Sequence, residues 1–367
     1  MDDKILVVDS GSSFLKAFYN KGANLYHEHS LVAKLQENTK LKERIRAVGD
    51  DGLESWYVAG KKARIQLTDL QEQADIRPDF HGSNRQRTQI MYAMQKLEVP
   101  QDLDLLVLTV PYTMYFDEDP ALNKMAEKKS FAWKDADGKE KKVNVKNVIL
   151  IPQGTPAQKF YEYKFGKLPD EVISVDIGSS TTDVISLIKD HDTGSYEYRE
   201  AKCKSFKDKS CINYFVSMMI EKIQSKIHGK LNVDFLSIVD KIHRNEFHLQ
   251  CESQVINFEQ EYLKAREEFT EMLSDTLSAE LGKTWTSAEK VLLNGGGEKF
   301  IVDHKWNCKG RTVRLGIFAN LIGALFLAEE ELGLPVSKAL LERDDFDVRQ
   351  VHGASASVRE NVSSSTI

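Results

Sequence analysis

Two stretches of the chain carry the same order of chemistries: Val7-Val8-Asp9-Ser10-Gly11-Ser12-Ser13 and Val175-Asp176-Ile177-Gly178-Ser179-Ser180-Thr181-Thr182-Asp183. In each, an apolar, β-branched run enters an aspartate, a glycine follows two residues later, and small hydroxyl residues come next. This pattern predicts two β-hairpins with tight glycine-bearing turns. Gly11 and Gly178 would let a ligand approach the backbone, and Ser12, Ser13, Ser179, Ser180 and Thr181 would offer N–H and hydroxyl donors without bulk. Two such turns facing each other would clamp the phosphates of a nucleotide. Asp9 and Asp176 would then be repelled by a polyphosphate unless a cation lay between, which implies Mg²⁺ held largely through its own waters. Lys16, on the returning strand of the first hairpin, adds a positive charge for the same phosphates.

One such turn alone reads as an ordinary surface turn. The repetition points further, and so does a third element, Val291-Leu292-Leu293-Asn294-Gly295-Gly296-Gly297-Glu298, where an apolar strand runs into three glycines. Taken alone, those glycines read as a flexible hinge. After the two hairpins they suit close passage of backbone past a base or phosphate.

These elements, in this order, resemble the actin-type ATPase superfamily, which includes actin, sugar kinases, seventy-kilodalton chaperones and bacterial actins. Asp9 to Lys16 (DSGSSFLK) resembles its first phosphate hairpin, Asp176 to Asp183 (DIGSSTTD) the second, and Leu293 to Glu298 (LNGGGE) its adenosine motif. Ile151 to Ala157 resembles the first connecting helix, and Phe318 to Ala324 the second, whose small residues let two helices cross closely. The resemblance implies an α/β, actin-like two-lobed fold of duplicated ribonuclease-H-like domains with a nucleotide cleft between the lobes. It implies nucleotide contacts from Ser10, Gly11, Ser12, Ser13, Lys16, Gly178, Ser179, Ser180, Thr181, Gly295, Gly296, Gly297 and Glu298. Asp9 and Asp176 would hold hydrated Mg²⁺, with ATP as the nucleotide and GTP as an alternative.

Gln153, at the start of the first connecting helix, is the third expected catalytic residue beside Asp9 and Asp176. A neutral amide can orient a water beside the γ-phosphate but is a poor general base. Slow, assembly-gated hydrolysis is the expected consequence.

Composition agrees with two lobes. The chain of 367 residues is long for one core, and its 41% hydrophobic content can fill two. A net charge of −6 argues against direct contact with nucleic acid. The basic clusters at Lys139 to Lys146 and Arg85 to Arg87 read as solvated faces or subunit contacts. Cys203, Cys211, Cys251 and Cys308 form no paired motif, so a reducing cytoplasm is expected, without a zinc site or disulfide framework. The polar start carries no signal peptide, and no apolar run has membrane-spanning length.

The expected layout is a first lobe over 1–167 with a small inserted subdomain at about 33–80. A second lobe follows over 168–352, its small subdomain at about 230–284, and then a polar, disordered tail over 353–367. Helices are expected over Ser83 to Leu97, Ser210 to Ile227, most of 232–281, and Leu315 to Leu332. Asp119 should cap a helix that carries Pro120 in its first turn.

Within the superfamily, the short stretch after Ala324 leaves no room for a chaperone's substrate domain, and no sugar-binding signature is visible. The Phe318-Ala319-Asn320-x-x-Gly323 run resembles the plasmid-segregation actins of the ParM/StbA type. The polar N-terminus lacks the amphipathic end of MreB-like shape proteins. Gln153 departs from the acidic residue of the ParM pattern. The resemblance therefore implies a filament assembling head to tail with itself, with a DNA-binding adaptor as partner and no membrane. A nonpolymerising small-molecule kinase and a nucleotide-binding scaffold remain as alternatives.

Overall fold

The computed structural model describes residues 3–342 and 349–350, except 12, 22–23, 50–51, 67–79, 194, 227–234 and 252–253. Ser12, the tail over 353–367 and part of each expected small subdomain lie outside the described residues. Among those described, the strands form a nine-stranded sheet, a seven-stranded sheet and a separate two-stranded hairpin.

The large sheet starts from β1 (Ile5–Ser10), β2 (Phe14–Tyr19), β3 (Asn24–His29), β4 (Val32–Lys34), β5 (Ile45–Val48) and β6 (Glu54–Ala59). It is completed by β7 (Asp102–Val110), β8 (Ser130–Lys134) and β9 (Glu140–Pro152). Their order is β3-β2-β1-β7-β9-β8-β5-β6-β4. β1 is buried along its whole length, as expected of a central strand covered on both faces. It pairs antiparallel with β2 and parallel with β7, and β7 is in turn parallel to β9.

The second sheet repeats this plan. β10 (Glu171–Ile177) pairs antiparallel with β11 (Thr182–Lys189) and parallel with the later strand Lys290–Asn294, which is parallel to Thr312–Arg314. Each half is therefore a hairpin followed by two parallel strands. This places the ends of β1 and β10, with their aspartates, at equivalent points of two similar sheets.

The halves share a core. Helices Thr155–Phe165 and Ala319–Glu331 bury Ala157, Phe160, Leu321, Ile322, Leu325 and Phe326 together with Ile5 and Val7 of the first sheet and Leu292 and Val313 of the second. The two helices pass so closely that a Cβ on Gly323 would stand 1.8 Å from the Pro156 carbonyl oxygen. The small residues of the second connecting helix thus have the packing role expected of them.

Local structure follows the sequence in most places. Helix Asn84–Lys96 is capped by Ser83, whose hydroxyl accepts from the Gln86 N–H, and helix Pro120–Ala126 is capped by Asp119. Three expectations are refined by the structure. Most of 232–281 is helical as expected, but between helices Phe235–His243 and Glu259–Leu281 lies a hairpin of His248–Cys251 and Gln254–Asn257 that the sequence reading did not foresee. Its strands are too short for their alternation to stand out against the helical periodicity on either side. The helix expected from Ser210 begins at Ile212, because Asp208–Ser210 is a 3₁₀ turn. The final helix begins at Ala319, since Thr312–Arg314 is spent as a strand beside Val291 to Leu293.

Candidate functional site

In the first hairpin, Asp9 and Lys16 are direct cross-strand partners. Opposite residues of an antiparallel pair share a face, so their side chains meet. Lys16 Nζ donates to Asp9 Oδ2 at 2.8 Å. The other carboxylate oxygen accepts from Thr109 Oγ1 at 2.6 Å, at the end of β7, and from Gln153 Nε2 at 3.2 Å, just after β9. Three adjacent strands therefore deliver their carboxyl ends to one buried aspartate. Burial alone would raise the Asp9 pKa, but the Lys16 charge and these hydrogen bonds outweigh it and hold the carboxyl below its ordinary range. Burial would likewise lower Lys16, yet Asp9 and Asp176 together hold its pKa above the usual value. Lys16 is thus a fixed cation that feels both aspartates.

The second hairpin is wired differently. Asp176 stands opposite Asp183 in the ladder, and Asp183 is occupied by the Thr181 hydroxyl at 3.0 Å and by the Ser205 hydroxyl. Asp176 Oδ2 accepts from Asn320 Nδ2 at 2.6 Å. Burial pushes Asp176 up to about 7; Lys16 opposes that shift, while the negative charges of Asp9 and Asp183 add to it. The Asn320 amide also accepts, through Oδ1, the Gly154 N–H at 3.3 Å. One side chain thus ties the turn carrying Gln153 in the first half to the aspartate of the second.

The turns themselves fit an anion cradle. Gly178 N–H donates to Thr181 O at 2.8 Å, closing the second turn, and a Cβ on Gly11 would stand 2.8 Å from the Phe14 carbonyl. The Ile212 and Asn213 N–H groups donate to the carbonyls of Gly178 and Ser179, so helix Ile212–Gln224 starts directly on the second turn. In the first turn, Ser30 donates its hydroxyl to Gly11 O at 2.5 Å and its N–H to Ser13 O at 2.8 Å. Ser10 Oγ is buried and has no hydrogen-bond partner among the described residues.

The three-glycine loop sits against the second hairpin. Gly295 has φ +83°, and a Cβ there would fall 2.1 Å from Asp176 Oδ1; at Gly297 it would fall 2.2 Å from Ile177 Cγ2. Both glycines are required by contact, which disposes of the hinge reading. Gly296 would meet only Ile212 Cδ1, at an ordinary 3.6 Å. The carboxylate of Glu298 turns away to accept the Gly316 N–H at 2.9 Å.

The structure thus brings Asp9, Lys16, Gln153, Asp176 and the glycines of all three loops together. It adds Thr109, Asp183 and Asn320, none of which was among the expected site residues. Asn320 had a visible signal, a polar side chain in an otherwise apolar helix start. Thr109 had none, because its role depends on β7 lying beside β1. Among the described residues, no cluster of three or more His, Cys, Asp or Glu is arranged to hold a metal, and no helix is long and apolar enough to cross a membrane.

Comparison with known proteins agrees with this architecture. Residues 174–304 match the family model of the archaeal actin homologue MreB-like C-terminal domain. No curated protein matches the chain. Among solved structures, a 15-stranded ParM filament from Clostridium botulinum superposes with a TM-score of 0.72 at 16% identity, covering 90% of this chain and 100% of the other. An archaeal actin homologue, Ta0583, gives 0.71 at 17% identity over 89% of this chain and 99% of its own. The same homologue in complex with ADP gives 0.67 at 16% identity, with the same coverage of both chains. The chain has the two-domain α/β actin-like fold and resembles the ParM-type and archaeal actin homologues.

Proposed function

We propose that this protein is a nucleotide-dependent filament protein that binds Mg-ATP between its two hairpins, hydrolyses it slowly, and assembles head to tail. GTP is the alternative nucleotide, a DNA-binding adaptor the expected link to plasmid cargo, and the cytoplasm the setting. The two lobes would span 1–167 and 168–352. One observation carries the reading: two repeated glycine turns place Asp9 with Lys16 and Asp176 with Asn320 at equivalent strand ends, joined across the halves through Gly154. The solved relatives support it, one being a filament and another an ADP complex.

The residues fit a magnesium nucleotide. Ser10 offers an orphaned buried hydroxyl, and Gly295 and Gly297 lie where a side chain would collide with the Asp176 strand. Asp9 and Asp176 would hold the ion together with phosphate oxygens and water, as suits a cation that keeps much of its hydration. Bound there, Mg²⁺ would neutralise phosphate charge and help align the terminal phosphoryl group.

The chain's own groups do the rest. Lys16, paired with Asp9 and within the field of Asp176, places a positive charge where phosphate charge would gather. The turn N–H groups of the first and second hairpins orient the phosphates from both sides. Gln153 Nε2 is committed to Asp9, so its amide oxygen is the end that can accept a proton of an attacking water and orient it. Thr109 and Asn320 hold the two carboxylates in place. Because each half contributes one turn, a nucleotide gripped by both favours the closed arrangement. Closed subunits then associate through a heterologous contact, which propagates instead of closing on itself.

The test is phosphate release from Mg-ATP by purified protein, with Mg-GTP and excess EDTA alongside. Wild-type protein should release phosphate only with free magnesium present, and Asp176→Asn should slow release by about 100-fold. Release that is unchanged in Asp176→Asn would remove this site from the reaction. Label appearing on an added acceptor instead of in water would make the protein a kinase.

A further inference from the structure

Away from the aspartates, two side chains of the first half meet on one carboxylate of the second. Arg64, on the short helix Lys61–Gln66, donates Nη1 to Asp240 Oδ2 at 2.6 Å and Nη2 to Ser237 Oγ at 2.5 Å. His29 Nε2, at the end of β3, lies 3.2 Å from Asp240 Oδ1. Asp240 and Ser237 belong to helix Phe235–His243, whose Ile238, Val239 and Ile242 are buried in the second-half core. Arg64 and His29 belong to the first half. The Asp240 side chain is 26% exposed, that of Arg64 20% and that of His29 1%. Such a partly buried group resists screening better than a surface ion pair. Burial would raise the Asp240 pKa, but His29 and Arg64 outweigh it and hold the group below its ordinary range.

This contact is joined to the first turn by short links. His29 is followed by Ser30, which donates to both Gly11 O and Ser13 O. The ring of Phe14, the first residue of β2, lies 4.6 Å from that of His29 and packs against the second-half core. Movement of helix Phe235–His243 away from the first half would therefore pull on the residues that shape the first turn.

We propose that Asp240 is a positioning residue, the keystone of a clasp with Arg64, Ser237 and His29 that holds the two halves together beside the first turn and so retains bound nucleotide. This rests on the reading that the two turns grip a nucleotide. A ligand held by both turns leaves only as the halves part, and the halves part only when the clasp opens. Asp240 touches no reacting group, so its loss acts on dissociation and on the separation of the halves.

The experiment has two readouts. A fluorescent ATP analogue bound with Mg²⁺ is chased with unlabelled ATP, and Asp240→Ala should release it about tenfold faster. Arg64→Ala should also release faster, and the double variant no faster than Asp240→Ala alone, because both changes break one contact. Asp240→Glu should slow release back toward wild type, and the melting temperature of each variant identifies any that has simply lost its fold. The second readout is the distance between spin labels on ketone-bearing residues at exposed Leu53 and Val255, measured without nucleotide. Asp240→Ala should widen that distribution. If wild-type protein binds no analogue, the nucleotide reading fails, and the distances alone then decide whether the clasp exists. Wild-type release rates or an unchanged distribution in a folded Asp240→Ala variant overturn the proposal.

Discussion

Asp9 and Asp176 occupy equivalent positions in the repeated hairpins yet are held in opposite electrostatic states. Asp9 has Lys16 at 2.8 Å and stays ionised, whereas Asp176 has an amide partner, two acidic neighbours and a pKa near 7. A carboxyl with a native pKa above its unfolded value near 3.8 binds more protons when folded. Its effect on stability is favourable at low pH and is lost as pH rises through about 7. Asp176→Asn should therefore stabilise the nucleotide-free protein at pH 8 by on the order of 1–3 kcal/mol, a gain that shrinks as pH falls from about 7 and vanishes only below about pH 4. Melting curves across that range check this, and a difference independent of pH would contradict it. The same substitution should abolish most turnover, a gain in stability at the expense of function. At this scale the principal side chains were legible, because Asp9, Lys16 and Asp176 lie within hairpins whose spacing fixes their neighbours. Thr109 was not, since its contact lies 100 residues away in sequence and exists only once the strands are assembled; Asn320 showed as a polar residue in an apolar helix start, but its partner, 144 residues away, did not.

At the scale of elements, the glycines separate into those held by contact and those that are not. Gly323→Ala would drive a methyl group into the Pro156 carbonyl and force apart the two helices that join the halves. It should cost about 3 kcal/mol or prevent soluble folding. Gly296→Ala, whose Cβ would meet only Ile212 Cδ1 at 3.6 Å, should leave the melting temperature within a few degrees of wild type. Equal effects of the two substitutions would contradict the packing described here. The hairpins, the capped helices at Ser83 and Asp119 and the buried strand β7 all follow from local signals in the sequence. The hairpin at 248–257 does not, since four-residue strands carry too little periodicity to distinguish them from the flanking helices.

For the whole molecule, duplication matters most. Two sheets of like plan, with connecting helices packed between them, form one shared core. The two-lobed class could be read from the order of five motifs. The finer placement could not: the motif around Asn320 favours ParM-type proteins, the family match lies with archaeal MreB-like actins, and the structural likeness extends to both ParM and archaeal homologues. The most direct measurement is right-angle light scattering with pelleting after Mg-ATP is added to the purified protein, with Mg-ADP and Asp176→Asn as controls. Scattering and pelletable protein that rise with Mg-ATP and decay as phosphate is released, while the Mg-ADP control stays soluble, are the expected result. A protein that stays monomeric with Mg-ATP across protein concentrations and salts would contradict nucleotide-driven assembly.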